Sequence, residues 1–137
     1  MMIVLDSSVT ITWFMPEEVT GTTLVLLNEV TQNGAFVPLH WAIEVGNALL
    51  IATRGRRISP EKTREALEQL VNLQVTTDRQ TLDEAWGASL NLAERFRLTL
   101  YDACYLELAQ RRELPLATLD KDLRKAAKAL DIPLLGI

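Results

Sequence analysis

Met2-Ile3-Val4-Leu5-Asp6-Ser7-Ser8 is the stretch on which the reading of the whole chain turns. Residues 2–5 are apolar without alternation, the pattern of a short strand covered on both faces. Asp6, Ser7 and Ser8 are residue types that cap helices, so a strand gives way directly to a helix over residues 8–15, which Pro16 stops. The same grammar returns near the other end of the chain. Leu114 to Leu119, interrupted at its start by Pro115, reads as a strand, and Asp120 leads into a helix over 121–130.

Between these two units, helical patterns alternate with short apolar runs. Helices are predicted over 18–33, ended by Gly34, and over 40–54, ended near Gly55. Another begins at Ser59-Pro60-Glu61, where a cap is followed by proline in the first turn and an early acid. Further helices are predicted over 79–96 and 101–112. Phe36-Val37, Gln74-Val75-Thr76 and Pro133-Leu134-Leu135 are the remaining strand candidates. Strands separated by helices imply an α/β fold: a short-stranded central parallel sheet flanked by helices on both faces. In such sheets, sites lie beyond the carboxyl ends of the strands, which is where Asp6 and Asp120 fall.

The 137 residues suit one domain spanning 1–137, and the 48% hydrophobic and 23% charged fractions are ordinary for a globular protein. Cys104 is the sole cysteine, which excludes an intrachain disulfide and fits a reducing compartment. No run approaches a membrane span, and no basic segment precedes the first apolar run, so a cytoplasmic location is expected. The net charge of −4 argues against a general polyanion binder. Basic residues nevertheless cluster where helices end: Arg54, Arg56 and Arg57, then Arg95 and Arg97, then Arg111 and Arg112. Favourable helix-dipole contacts account for such groups as well as a ligand does.

Four acids carry the chemistry. Asp6 and Asp120 stand at strand ends, where each serves equally as a helix cap or as a ligand. Asp102 borders the apolar stripe of Ala103, Leu106 and Ala109, with Glu107, Gln110 and Arg111 expected around the other side. Glu44 is the most telling: from 41 to 52 it and Asn47 are the only strongly polar residues, and with His40 they form a narrow stripe on a helix apolar nearly all round. Such a helix is expected to be buried, and a buried Glu needs a metal or a remote cation. Together these acids make an all-oxygen cluster suited to Mg²⁺ or Mn²⁺. Asp122 is a fifth candidate, equally well placed to favour the start of its own helix. Hydrolysis of phosphodiesters is the natural reaction class. The alternative is a non-catalytic binding or regulatory module whose acids are caps and surface charges.

Other chemistries lack their parts. One His and one Cys cannot build a His/Cys zinc site, and there is neither a phosphate-cradling glycine loop nor a nucleophile elbow. Trp13, Phe14, Trp41 and Trp86 are expected as core or interface anchors, His40 as a helix-start residue, and Cys104 as a small core residue.

Val4-Leu5-Asp6-Ser7-Ser8 with Trp13-Phe14 and Pro16-Glu17-Glu18 resembles the opening of PIN-domain proteins of the VapC toxin type. So do Val37-Pro38-Leu39 with Trp41, Glu44, Asn47 and Ala48-Leu49-Leu50, Leu98-Thr99-Leu100-Tyr101-Asp102-Ala103 with Tyr105-Leu106, and Leu116-Ala117-Thr118-Leu119-Asp120-Lys121-Asp122-Leu123. The resemblance runs in order over essentially the whole chain. It implies a PIN-like fold, Mg²⁺- or Mn²⁺-dependent endoribonuclease activity leaving 5′-phosphate and 3′-hydroxyl ends, a homodimer, and neutralisation by a VapB-type antitoxin. It also implies an acidic quartet of Asp6, Glu44, Asp102 and Asp120, with Asp122 as an added ligand. Ser7 and Thr118 would be supporting hydroxyls and Asn47 a supporting amide. Arg54, Arg56 and Arg57 are candidates for RNA backbone contacts, with dimer or antitoxin contacts as the competing role. Relatives with this fold also process RNA without an antitoxin, which leaves a housekeeping nuclease as the second reading.

Overall fold

A computed structural model describes residues 1–137. In chain order the elements are β1 (Ile3–Leu5), α1 (Ser7–Thr12), α2 (Gly21–Asn33), β2 (Ala35–Pro38), α3 (Trp41–Arg54), α4 (Pro60–Val71), β3 (Val75–Asp78), α5 (Thr81–Glu84), α6 (Ala88–Phe96), α7 (Leu100–Arg112), β4 (Leu116–Ala117), α8 (Lys121–Ala129) and β5 (Leu134–Leu135). All strand pairs are parallel, in the order β3-β2-β1-β4-β5. The chain builds outward from β1 on one side through β2 and β3, then returns to the other side with β4 and β5. The order therefore reverses between β1 and β4, and at such a switch point the crevice beyond the strand ends is open to a ligand. Asp6 follows one of these two strands and Thr118 the other.

The unbroken apolar run of β1 is covered on both faces: none of Ile3, Val4 and Leu5 is more than 1% exposed. The principal covering element is α7, which packs on β1, β2 and β4 and is buried continuously from Ala103 to Ala109. Ala103, Leu106 and Ala109 lie inside as expected. Glu107 does not lie on an outer face; it is buried and receives hydrogen bonds from Arg111, which also reaches Asp78 at the end of β3. Burial of two carboxylates there is offset by one guanidinium bonded to both.

Three expectations need correction. The helix predicted over 79–96 is two helices, α5 and α6, because Gly87 adopts φ −110° and ψ −103°, outside the helical region, and interrupts the helix. Of the aromatic residues expected as core or interface anchors, Trp86 is 88% exposed and so is no core anchor, whereas Trp41 is buried and Trp13 and Phe14 pack against the core. Helix α3 is not buried all round. It packs one face, Trp41, Val45, Leu49 and Ala52, and leaves Ile43, Leu50 and Ile51 exposed. No helix is long and apolar enough to cross a membrane.

Two glycines separate backbone constraint from helix propensity. Gly34 ends α2 at φ +82°, and an added Cβ would stand 3.0 Å from the Gln74 carbonyl oxygen. Gly46 lies inside α3 with open space where a Cβ would go. Gly34→Ala is expected to lower stability by about 1–3 kcal/mol, and Gly46→Ala to raise it by up to about 1 kcal/mol. Urea unfolding midpoints of the two variants should move in opposite directions.

Candidate active site

Asp6 occupies the position preceding α1, yet its side chain makes no capping hydrogen bond. The capping alternative is thereby removed, and the carboxylate is spent otherwise. Ser8 Oγ donates to Asp6 Oδ2 at 2.6 Å and Thr118 Oγ1 donates to the same oxygen at 2.7 Å. Ser7 Oγ lies 3.4 Å from Oδ1, a long contact that leaves this oxygen less engaged. The Leu119 amide donates to Ser8 Oγ and the Asp120 amide to Thr118 Oγ1, so the two hydroxyls are themselves aimed by the backbone after β4. Asp6 is only 4% exposed. Burial pushes its carboxyl pKa up, the two hydroxyl bonds pull it down, and the charge of Asp120 pushes it up again.

The other acids arrive from different elements. Asp120 does cap its helix, accepting the Leu123 amide at 2.8 Å through Oδ1. Asp102 stands in the first turn of α7, where Thr99, not Asp102, is the cap. Asp6, Asp102 and Asp120 line one open cavity of about 650 Å³, together with Ser7, Ser8, Thr12, Glu18 and Ala48. Glu44 borders the cluster from α3. It accepts a hydrogen bond from the phenol of fully buried Tyr105 at 2.5 Å, and His40 Nε2 lies 3.7 Å from the same oxygen. The Asp102 carboxyl is pushed up to about 6, first by burial and then by the charges of Asp6, Asp120 and Glu44. Four carboxylates therefore share one electrostatic neighbourhood.

The remaining candidates lie further out. Asn47 is exposed on α3. Asp122 is exposed and lines a separate depression with Arg95, Arg97 and Lys125. Arg57 is exposed and its charge is met by Glu17 at 2.6 Å and Glu18 at 3.6 Å. Three participants escaped the sequence reading. Ser8, not Ser7, makes the short bond to Asp6; its place in the first turn after the strand lets it fold back, a signal available in Asp6-Ser7-Ser8. Tyr105 enters the sequence only as part of a motif beside Asp102, and its pairing with Glu44 spans 61 residues. Glu18 lines the cavity with no local pattern to mark it.

Whether these residues suit a hard divalent cation can be judged from the donor set. It is all oxygen, it concentrates negative charge, and its first member is oriented by two hydroxyls. No three acids converge into a ready-made ligand cage. Mg²⁺ is commonly held by one or two carboxylates, completed by water and substrate phosphate, so the set fits an open site.

Comparison with known proteins follows the same line. The PIN domain family model matches residues 3–129. No curated protein matches the sequence. Among solved structures the chain is similar to PAE2754 from Pyrobaculum aerophilum, with 21% identity, a TM-score of 0.66, and coverage of 92% of this chain and 87% of that one. It is also similar to FitAcB from Neisseria gonorrhoeae, with 14% identity, a TM-score of 0.68, and coverage of 99% and 97%. At these identities the likeness concerns the fold.

The repulsion on Asp102 has a thermodynamic consequence. A carboxyl whose folded pKa lies above its unfolded value destabilises the fold when ionised, and the penalty fades as pH falls through that interval. Without added metal, Asp102→Asn is expected to stabilise the protein by on the order of 1 kcal/mol, a figure discounted for the half-exposed position. The gain should be full above pH of about 6 and absent below 3.8. Thermal melts in chelator across that range check it; a gain that persists in acid would contradict a cost of ionising Asp102 by burial and repulsion.

Proposed function

The chain belongs to the PIN-domain family, and on that footing we propose that it is a Mg²⁺- or Mn²⁺-dependent endoribonuclease, the toxin of a VapBC-type toxin–antitoxin pair. PIN domains are typically metal-dependent nucleases. The observation that carries the reading for this chain is the Asp6 carboxylate, buried, uncapping, and held by Ser8 and Thr118 beside a cavity that Asp102 and Asp120 also line.

Asp6, Asp102 and Asp120 would hold the cation, with Glu44 beside them; Asp122, in its separate depression, is not positioned to add a ligand. A bound divalent cation supplies charge stabilisation at the phosphoryl group and a nucleophile at neutral pH. The chain's own residues do the orienting. Ser8 and Thr118 fix one oxygen of Asp6, with Ser7 near the other, and Tyr105 fixes one oxygen of Glu44. Asp120 uses one oxygen for its helix and keeps the other available. Asn47, exposed one turn beyond Glu44, is suited to supporting the substrate rather than the carboxylates. Arg54, Arg56 and Arg57 are candidate contacts for RNA backbone or antitoxin.

The uncovered apolar face of α3 supports a partner. Ile43, Leu50 and Ile51 are exposed, and Leu39, Ile43, Leu82, Leu100 and Tyr101 line an adjoining apolar groove of about 380 Å³. Exposed apolar surface of this kind marks protein contacts, in keeping with a homodimer and an antitoxin. The single cysteine fits action in the cytoplasm. A housekeeping RNA-processing nuclease of the same fold is the second reading, and the partner surface is what favours the toxin over it.

Purified protein is expected to cleave a structured RNA pool with Mg²⁺ or Mn²⁺. Activity should be lost in chelator and reduced at least about a hundredfold by Asp6→Asn. Cleavage that survives Asp6→Asn would count against the site, and absence of cleavage with either metal would favour a binding module.

A further inference from the structure

The cavity that would receive the scissile phosphate is lined by carboxylates, so the rest of a polyanionic substrate must be held by cations elsewhere. Two elements that adjoin the acids in the chain, α6 and α8, carry exposed cations. Lys121, Lys125 and Lys128 fall at i, i+4 and i+7 on α8, and all three are exposed. The opposite face of α8, Leu123, Ala126 and Ala127, is buried. Arg124 is turned away from this stripe and donates to the Thr118 and Leu135 carbonyls, bracing the ends of β4 and β5. Across a shallow depression stand Arg95 and Arg97, at the end of α6.

None of Arg95, Arg97, Lys121, Lys125 and Lys128 forms an ion pair, although Asp122 borders the depression and Asp131 borders its continuation past Lys125. Arg57, whose partner Glu18 lines the acid cavity, is already paired. Helix dipoles explain Arg95 and Lys128, which lie in last turns. They do not explain Lys121, in the first turn of α8, where a cation is disfavoured. The strip also adjoins the acids on both sides. Asp120 immediately precedes Lys121, and Arg97 stands two residues before Thr99, the cap of the helix that carries Asp102. Along α8 the three lysines span about 10 Å.

We infer that Arg95, Arg97, Lys121, Lys125 and Lys128 form the binding track for the RNA backbone flanking the cleaved bond, running from the acid cavity outward over α6 and α8. The inference rests on the nuclease reading above. The contacts are to phosphate, so the track supplies affinity and register without reading bases. Its cations also offset the repulsion that the acids exert on the substrate.

The test uses full-length Asp6→Asn protein with Mg²⁺, which holds RNA without cutting it, and a short unstructured RNA of mixed sequence. Binding is titrated against salt for this protein, for the same protein with Arg95→Gln, Arg97→Gln and Lys125→Gln together, and with Arg54→Gln, Arg56→Gln and Arg57→Gln together. Loss of three phosphate contacts on single-stranded RNA should reduce the salt slope by about 2 and weaken binding by at least about tenfold at low salt. The α3 set should change the slope by less than half as much. Because Arg95, Arg97 and Lys125 are exposed and form no ion pair, the melting temperature of the track variant should hold, and Lys121→Gln with Lys128→Gln provides a second pair should the triple variant unfold. An unchanged slope in the track variants overturns the inference, including the case in which this face receives an acidic protein segment. Failure of the Asp6→Asn protein to bind any RNA, with no metal-dependent cleavage by the unaltered protein, overturns the nuclease reading itself.

Discussion

A carboxylate buried at the junction of two parallel strands is costly unless hydrogen bonds meet it, and the fold around Asp6 is arranged to do so. One donor, Ser8, is local. The other, Thr118, comes from the far end of the chain and reaches Asp6 only because β4 pairs beside β1. The same backbone that brings Thr118 in also positions Asp120, whose amide bonds to the Thr118 hydroxyl. Pairing of β1 with β4, orientation of Asp6 and placement of Asp120 are therefore one structural event. The α7 helix completes it by packing across both strands and presenting Asp102 from its first turn.

The arrangement stores electrostatic tension. Asp6, Asp120 and Glu44 are oriented by hydrogen bonds, but burial first and then the charges of these three acids hold the Asp102 carboxyl above the ordinary carboxylate range. Stability is sacrificed locally where these carboxylates gather, and a divalent cation held there, as proposed, would relieve the conflict by binding the folded state in preference to the unfolded one. The core of β1, α7 and their neighbours tolerates that cost because it is otherwise closely covered, down to the buried pairing of Arg111 with Glu107 and Asp78.

Strand ends and helix starts were the legible part of this sequence. Asp6 follows an unbroken apolar run and Asp120 a run broken only by Thr118, so their place beyond the carboxyl ends of strands could be read from a few residues each. The parallel α/β architecture followed from alternation of elements. Less legible were features set by distant partners. Nothing near Glu44 announces Tyr105, and nothing near Glu18 announces the cavity. The α3 pattern, apolar nearly all round, reads the same for a helix buried in its own core and for one with a face left uncovered, so its exposure needed the packing of α1 and α4 to be seen. The break between α5 and α6 rests on a single glycine in an otherwise helical pattern, which a helix often tolerates.

The account stands on the acids forming one cation site, and the most direct measurement is diffraction from crystals soaked in Mn²⁺ with data at its absorption edge. An anomalous peak in the cavity bordered by Asp6, Asp102 and Asp120, absent from Asp6→Asn crystals treated alike, is the expected result. No peak there at saturating Mn²⁺, or an equal peak in the Asp6→Asn crystals, would contradict it.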